Sequence, residues 1–66
     1  MEKEYFVSFG FIPEGHHHYT FNSIRVKTLE MRVKDLTPGE LAQYLEEEVS
    51  DMMDNISVVI LNYWEM

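Results

Sequence analysis

The stretch LTPGEL, residues 36–41, carries the clearest structural signal in this chain of 66 residues. Thr37 is a favourable N-cap, and Pro38 follows at the first helical position, where its missing N–H breaks no hydrogen bond. Glu40 lies three residues after Thr37, which completes a capping box, and the leucines at the two ends of the stretch can form a hydrophobic staple across it. The sequence therefore predicts that a helix begins here.

This helix is predicted to run to about Met53. Its apolar residues recur at helical spacing and form one stripe, namely Leu41, Tyr44, Leu45, Val49, Met52 and Met53. The Asp54–Asn55 pair is expected to end the helix, because asparagine tolerates the left-handed conformation that is common at helix C-termini. Four carboxylates lie largely away from the stripe and define an acidic face, namely Glu46, Glu47, Asp51 and Asp54.

Strand-forming sequence lies on both sides of the helix. Residues 4–12, EYFVSFGFI, are aromatic and β-branched, which favours a strand. A turn at Pro13–Gly15 separates this segment from a second strand, which begins near His18 and runs through Lys27. Two strands joined by a glycine-containing loop are typical of an antiparallel hairpin. Residues 56–64, ISVVILNYW, form the last predicted strand.

The second predicted strand changes its alternation partway along. Its apolar residues occupy even positions up to Val26 but odd positions from Leu29 to Val33. Because side chains alternate with a period of two, both sets can face one core only if a residue is inserted. A β-bulge near Thr28 would supply that residue. Two short strands with a kink between them are the alternative, and the pattern leaves both open.

Together these elements predict a single domain over residues 1–66, of class α+β and order β-β-α-β. The helix returns the chain, so the third strand runs parallel to the second and pairs antiparallel with the first. The expected sheet is three-stranded and mainly antiparallel, with strand order 2-1-3 and one helix packed on one face. The crossover is expected to be right-handed.

One helix covers one face of such a sheet and leaves the other face uncovered. The alternation places apolar side chains on that uncovered face, namely Phe6, Ile12, Val59, Leu61 and Tyr63. An exposed apolar patch of this size is uncommon on a monomer and often marks an interaction site. We therefore expect a homodimer, or a complex with a host protein, through this face. The alternative is that strand twist and the chain ends hide much of the patch.

Composition narrows the class of function. The formal net charge of −7 repels nucleic-acid phosphates and anionic membranes, and it favours a protein partner over nucleic acid. The chain has no cysteine, so disulfides and thiolate metal sites are excluded, as expected of a cytoplasmic protein. No apolar run approaches the ~18–20 residues of a membrane span. The N-terminus also lacks a signal-peptide pattern, so a soluble, cytoplasmic protein is predicted.

Three consecutive histidines, residues 16–18, fall in the predicted hairpin turn and are interpreted as native sequence. On an extended segment His16 and His18 would point the same way, about 7 Å apart. They could share a zinc ion with a carboxylate such as Glu14. Metal sites of this kind need further ligands held by supporting hydrogen bonds, which a loop tip provides poorly. Solvated turn histidines are therefore favoured over a metal-binding loop.

The sequence offers little that is typical of an enzyme. No serine lies in a nucleophile-elbow context, and the three glycines do not form a phosphate-binding loop. The helix carboxylates are spaced along a surface rather than paired in a predicted cleft. We therefore expect a protein without catalytic activity and without a cofactor.

Charge is segregated along the chain. Four of the five basic residues fall between positions 25 and 34, namely Arg25, Lys27, Arg32 and Lys34. The acids are concentrated on the helix. These can be two solvated faces, or the acidic face can imitate nucleic-acid phosphates and inhibit a host protein that handles DNA or RNA, including a defence protein. The second hypothesis predicts binding that weakens steeply with salt.

Three segments of the predicted strands carry a further signal, namely YFVSFGF, YTFNSIRV and VVILNYWEM. In these segments the chain resembles small uncharacterised proteins of Gram-positive bacteriophages and prophages. Such proteins open with an aromatic strand, cross on an acidic helix and end in a V-I-L-N-aromatic strand. Phe21–Ser23 and Val59–Tyr63 carry the match. The resemblance implies an origin in a mobile element and transfers no functional residue, but phage products of this size often act by binding a host protein.

Overall fold

The computed structural model describes every residue from Met1 to Met66. Its elements are β1 (Glu2–Phe11), β2 (Thr20–Leu29), α1 (Glu30–Val33), α2 (Pro38–Met52) and β3 (Val58–Glu65). The three strands form one antiparallel sheet in the order β2-β1-β3. The predicted α+β class and the predicted strand order are therefore confirmed. Neither helix combines the length and the hydropathy that crossing a membrane requires.

The hydrophobic core lies between α2 and one face of the sheet. β1 is the central strand, and its alternating side chains Tyr5, Val7 and Phe9 are all buried. The complete buried cluster is Tyr5, Val7, Phe9, Val26, Val33, Leu45, Val49 and Val58. Each strand and both helices contribute to it, so the core holds the whole chain together on this one side of the sheet.

Local sequence determines both ends of α2. The Thr37 hydroxyl accepts a hydrogen bond from the Glu40 N–H at 3.3 Å, and the Thr37 N–H donates to the Glu40 carboxylate at 3.1 Å. This is the predicted capping box. At the other end Asp54 and Asn55 adopt positive φ angles of 59° and 63°. The Asn55 N–H donates to the Ser50 carbonyl at 2.8 Å. This is the hydrogen bond of a Schellman motif that spans six residues.

The change of alternation after β2 has a different cause from either one predicted. β2 pairs with β1 without any register shift through to Leu29, so there is no bulge near Thr28 and no second short strand. The chain instead enters α1, a single helical turn. This turn points Val33 into the core and leaves Met31 73% exposed. The odd-numbered apolar residues thus belong to a helix, where residues two apart do not share a face.

A bulge does occur, but in β3. Ser8 is opposite Asn62 while Phe9, the next residue of β1, is opposite Ile60. Leu61 is therefore the extra residue, without a partner on β1. An inserted residue reverses the alternation of everything that follows it. The second half of β3 therefore presents its side chains to the faces opposite to those that uninterrupted alternation predicts.

Candidate functional site

The face of the sheet opposite α2 is covered by no other element of the chain. We call it the open face, and its members follow from the pairing register, because directly opposed residues of neighbouring strands share a face. The residues that form its central part are Phe6, Ser8, Gly10, Phe21, Ser23, Arg25, Val59, Asn62 and Trp64. Ile12 and Tyr19, just beyond the strand ends, extend it at the hairpin tip.

One aromatic cluster of the open face joins β1 to β3. The Phe6 ring stacks on the Trp64 ring with centroids 4.9 Å apart and planes inclined by 29°. Trp64 is opposite Phe6 in the register, and its side chain is 49% exposed. Packing within the cluster thus leaves about half of a large indole available for contact with another molecule.

A second aromatic cluster lies at the hairpin tip and depends on Gly10. The Tyr19 and Phe21 rings stack with centroids 6.3 Å apart and planes inclined by 15°. A Cβ atom at Gly10 would lie only 3.1 Å from Cε1 of Phe21 and 3.4 Å from Cδ1 of Tyr19. The missing side chain therefore gives the Phe21 ring room to lie across β1, whereas the Tyr19 ring would meet such a Cβ atom at an ordinary contact distance. Phe21 still remains 66% exposed, the highest value among the aromatic side chains of the open face.

Polar side chains separate the two clusters. The Ser8 and Ser23 hydroxyls lie 3.2 Å apart, and Asn62 is opposite Ser8 on the other side of β1. Beyond Phe6, Arg25 forms an exposed ion pair with Glu4 at 3.7 Å. The open face is thus two exposed apolar clusters around a small polar centre, with charges of both signs at one end.

None of the five predicted interface residues is fully buried, and four of them are considered first. Phe6 is half-buried, while Ile12, Val59 and Leu61 are exposed. Val59 is opposite Gly10 on the open face, and Leu61 occupies the bulge. Whether these four residues contact a partner stays a prediction, because the structure contains a single chain.

The prediction that Tyr63 lies on the uncovered face of the sheet is wrong. Tyr63 is opposite Val7 and packs against the core on the α2 side of the sheet. Its hydroxyl donates to the Pro38 carbonyl at 3.0 Å and so ties β3 to the start of α2. The bulge at Leu61 is the reason, since it exchanges the faces of the residues after it. Trp64 consequently occupies the open face, a position that alternation had assigned to the core side.

Sequence reasoning missed the two rings of the hairpin tip as site residues. Phe21 is odd-numbered in a strand whose core residues Ile24 and Val26 are even, so the alternation alone would have placed it on the open face. Its position opposite Gly10 was the second available signal. For Trp64 the available signal was Asn62, because uninterrupted alternation would place this polar residue on the core side, and an insertion before it moves both residues to the open face.

The acidic face is exposed along α2 and just beyond it. Glu46, Glu47, Asp51 and Asp54 are all exposed, and the first three line a shallow groove together with Ser57 and residues beside it. The last turn of α2 contains no basic residue. Negative charge at a helix C-terminus is disfavoured by the helix dipole. Asp51 and Asp54 therefore hold positions that do not favour the stability of the helix.

The four basic residues do not share one face, as a second strand with a bulge near Thr28 would have arranged them. Arg25 and Lys27 lie on the open-face side of β2. Arg32 belongs to α1, and Lys34 follows it as the helix C-cap. The change from strand to helix after Leu29 separates the two pairs. Of these four cations, Arg25 and Lys27 are therefore the two that lie where they could contact a molecule bound to the open face.

The histidines lie in the loop between β1 and β2. His16, His17 and His18 are all exposed, and the His16 N–H donates to the Pro13 carbonyl at 3.0 Å. No group of three or more His, Asp or Glu side chains is close enough together to hold a metal ion. The suggested zinc site of His16 and His18 thus gains no third ligand, and Glu14 does not complete it.

Shifted pKa values support the fold rather than a reactive site. Burial raises the pKa of Tyr5, and a hydrogen bond to the Glu65 carboxylate raises the pKa of Lys3. Both shifts keep these groups protonated at neutral pH, which does not prepare them for proton transfer. Backbone and hydroxyl hydrogen bonds from Thr37 lower the pKa of Glu40, in agreement with its role in the capping box.

No family model, curated protein or solved structure matches this chain. The resemblance to small phage and prophage proteins consequently stays a prediction.

Proposed function

We propose that this protein acts without catalysis, by binding protein through its open face, and that a second copy of the chain is its first partner. The single observation that carries the proposal is the pair of exposed aromatic clusters, Phe6–Trp64 and Tyr19–Phe21. Tryptophan and tyrosine are enriched among the residues that dominate binding energy at protein interfaces. Both clusters lie on the side of the sheet that the fold leaves without a cover.

The layout of the open face suits contact between two identical surfaces. In a two-fold interface each patch meets itself or another patch of the same face. An axis through the polar centre, near Ser8, would set apolar clusters against apolar clusters on either side of it. The ion pair of Glu4 and Arg25 balances its own charge. The acidic face lies on the α2 side, so most of the negative charge would point away from this interface.

The only tryptophan of the chain provides a direct test, because Trp64 lies on the open face. Association should shift its fluorescence to shorter wavelength as protein concentration rises, together with an increase in sedimentation coefficient. Val59→Glu places a charge on the open face and should abolish the fluorescence shift and reduce the rise in sedimentation coefficient. Met31→Glu makes the same charge change at an exposed apolar residue of α1 and should leave both intact.

A wild-type protein that stays monomeric, with constant Trp64 emission at all concentrations, would contradict self-association. A loss of association in Met31→Glu equal to that in Val59→Glu would show that added negative charge, not the open face, is responsible. Each variant is first compared with the wild type by circular dichroism and thermal unfolding, so that loss of fold is not read as loss of binding.

Inhibition of a nucleic-acid-handling host protein is the second candidate, and the position of two acidic residues favours it. Asp51 and Asp54 hold negative charge where the helix dipole opposes it, which suggests a role other than stability. The wild type should displace labelled duplex DNA from a basic DNA-binding protein. A variant with Gln or Asn at all four acidic-face positions should not. Equal displacement by both proteins would exclude the acidic face as a phosphate mimic.

The origin and location of the protein belong to the same proposal. We propose a cytoplasmic protein encoded by a phage or prophage, as the resemblance of its strand segments implies. The absence of cysteine agrees with a reducing compartment but does not require one.

A further inference from the structure

The outer edge of β2 is a second unpartnered surface, distinct from the open face. β2 pairs with β1 on one side and with no strand on the other. Natural proteins protect such edges with short strands, prolines, bulges or charges. β2 is ten residues long, contains no proline and runs in unbroken register, so Arg25 and Lys27 are its only protection. The edge strand β3, by contrast, carries the bulge at Leu61.

The space beside this edge is open over the first part of the strand and beside its basic residues. The first four residues of β2, Thr20–Ser23, are exposed on both faces of the sheet. Beside the other half lies a groove lined by Arg25, Val26 and Lys27 from the strand and by Glu48 and Met52 from α2. A further strand could therefore approach the edge without displacing any element of the fold.

We propose that a second copy of the chain occupies this edge, with the two β2 strands antiparallel and the two-fold axis at Ser23. The pairing makes one continuous six-stranded sheet. This interface goes beyond the proposed function, since it uses the edge of the sheet and leaves the open face free.

Hydrogen-bond geometry restricts where the axis can lie. Along an edge strand, alternate residues direct their N–H and C=O groups inward to β1, and the residues between them direct these groups outward. Two copies of one strand can exchange bonds only if outward residues face outward residues. This requires an axis that passes through a residue rather than between two residues.

Among the registers whose axis passes through a residue, the positions of Arg25 and Lys27 decide which one is favourable. An axis at Arg25, Val26 or Lys27 places cations directly opposite each other, which is destabilising. An axis at Ser23 instead sets Arg25 opposite Phe21 of the second copy and Lys27 opposite Tyr19 of the second copy. A cation over an exposed aromatic ring is attracted to it. An axis at Ile24 also separates the cations, but it sets Arg25 against serine and so uses only one of these contacts.

The pairing would also extend the binding surface. The two open faces become one surface, with the Tyr19–Phe21 cluster of each copy beside the cations of the other. Ser23 lies directly opposite Ser23 of the second copy at the centre. The Tyr19 and Phe21 rings, which are 52% and 66% exposed in the monomer, would then each lie beside a cation of the second copy.

Cysteine scanning tests the register directly, because the chain has no cysteine of its own. Opposed residues of an antiparallel pair have Cα atoms about 4.5–5.5 Å apart, which suits a disulfide. Ser23→Cys should therefore give mainly covalent dimer under mild oxidation, seen by non-reducing electrophoresis and intact mass. Phe21→Cys and Arg25→Cys serve as matched controls and should stay monomeric alone, but mixed together they should give the covalent heterodimer.

All three variants also carry Val59→Glu, so that association through the open face does not contribute. Covalent dimer in equal amounts from all three cysteines, or from Arg25→Cys alone, would overturn the proposed register. Absence of covalent dimer from Ser23→Cys and from the mixture would overturn edge pairing itself. In that case a concentration-dependent shift of Trp64 emission in the wild type would still support the open-face proposal, so the two proposals can fail separately.

Discussion

The hydroxyl groups of Thr28 and Tyr44 show how a buried polar residue is accommodated in the core. Their oxygen atoms lie 2.6 Å apart, and Thr28 is the polar residue among the buried positions of the sheet. No buried side-chain nitrogen or oxygen is left without a partner. A polar group in an apolar core is stable only when its hydrogen bond is made. The contact therefore joins β2 to α2 through a bond that each partner needs.

We expect Thr28→Val to lower the free energy of unfolding by about 1 kcal/mol, because it leaves the partly buried Tyr44 hydroxyl without a partner. Tyr44→Phe should have a similar effect for the reciprocal reason. The double variant should lose less than the sum of the two, since no unpaired hydroxyl remains. Urea unfolding of the four proteins measures this, and strictly additive losses would show that the hydroxyls do not interact.

At the scale of single residues, alternation predicted side-chain direction correctly only where the register is regular. Tyr5, Val7 and Phe9 lie on the buried side as their spacing requires. Tyr63 and Trp64 do not follow it, because one inserted residue exchanges their faces. Asn62, directly after the inserted Leu61, is the signal that the sequence offers, because uninterrupted alternation would place this polar residue on the core side. It indicates that the alternation is interrupted, but which residue is inserted is seen only in the structure.

The two helices show which elements a sequence specifies locally. α2 has an N-cap, a proline at its first position and a left-handed stop, and each of these is visible in the sequence. α1 is four residues long, and its N-cap residue Leu29 makes no side-chain hydrogen bond to it. So short a helix is unstable alone and exists because packing holds it, here through buried Val33. Its spacing could therefore be mistaken for that of a strand.

The capping box predicts a specific dependence of stability on pH. Hydrogen bonds from Thr37 lower the pKa of Glu40 below its ordinary value of 4.5. A carboxylate whose pKa is lowered by folding stabilises the fold above the unfolded pKa, and this contribution is lost as pH falls through the folded pKa. Glu40→Gln keeps a capping side chain but removes the titration.

Thermal unfolding from pH 6 downward should therefore show a smaller loss of stability below pH 4.5 in Glu40→Gln than in the wild type. The two curves should run parallel above that pH. Identical slopes throughout the acid range would contradict a role for the ionised Glu40 in the cap.

The C-terminal end of α2 predicts a gain of stability on removing charge. Asp51 lies in the last turn, and Asp54 follows the helix directly. Each of Asp51→Asn and Asp54→Asn should raise the free energy of unfolding by about 0.3–1 kcal/mol at low ionic strength, because negative charge there opposes the helix dipole. Glu40→Gln, at the opposite end of the helix, is the matched control and should not stabilise. Urea unfolding at low and high salt tests this, since the gain should shrink with screening.

At the scale of the whole molecule, the number of helices that can cover the sheet decides how much of the sheet stays uncovered. The β-β-α-β order of elements predicted the strand order β2-β1-β3. It also predicted that one long helix packs on one side of three strands and leaves an apolar face uncovered. The exact composition of that face depended on the bulge in β3, which moved Trp64 onto it and Tyr63 away from it. Architecture was thus predictable from the sequence, whereas the contact surface was only partly so.

Ionic strength separates the two candidate functions at the scale of the whole molecule. Each copy carries a formal charge of −7, so two copies repel each other at a distance. Salt screens that repulsion over about 10 Å at 0.1 M, and the apolar contacts of the open face do not depend on it. Self-association should therefore tighten as salt is added. Binding of the acidic face to a basic protein should weaken instead, because its attraction is screened.

Sedimentation velocity of the wild type at low and at high sodium chloride measures the first effect. Displacement of DNA from a basic protein at the same salt concentrations measures the second. The Trp64 emission of the open-face variant Val59→Glu should not depend on protein concentration in either salt, which ties the change to that surface. Self-association that weakens as salt rises would show that charge rather than apolar contact joins the copies. Such a result would indicate that the copies associate through opposite charges, such as Arg25 of one copy and the α2 carboxylates of another, and not through the aromatic rings of the open face.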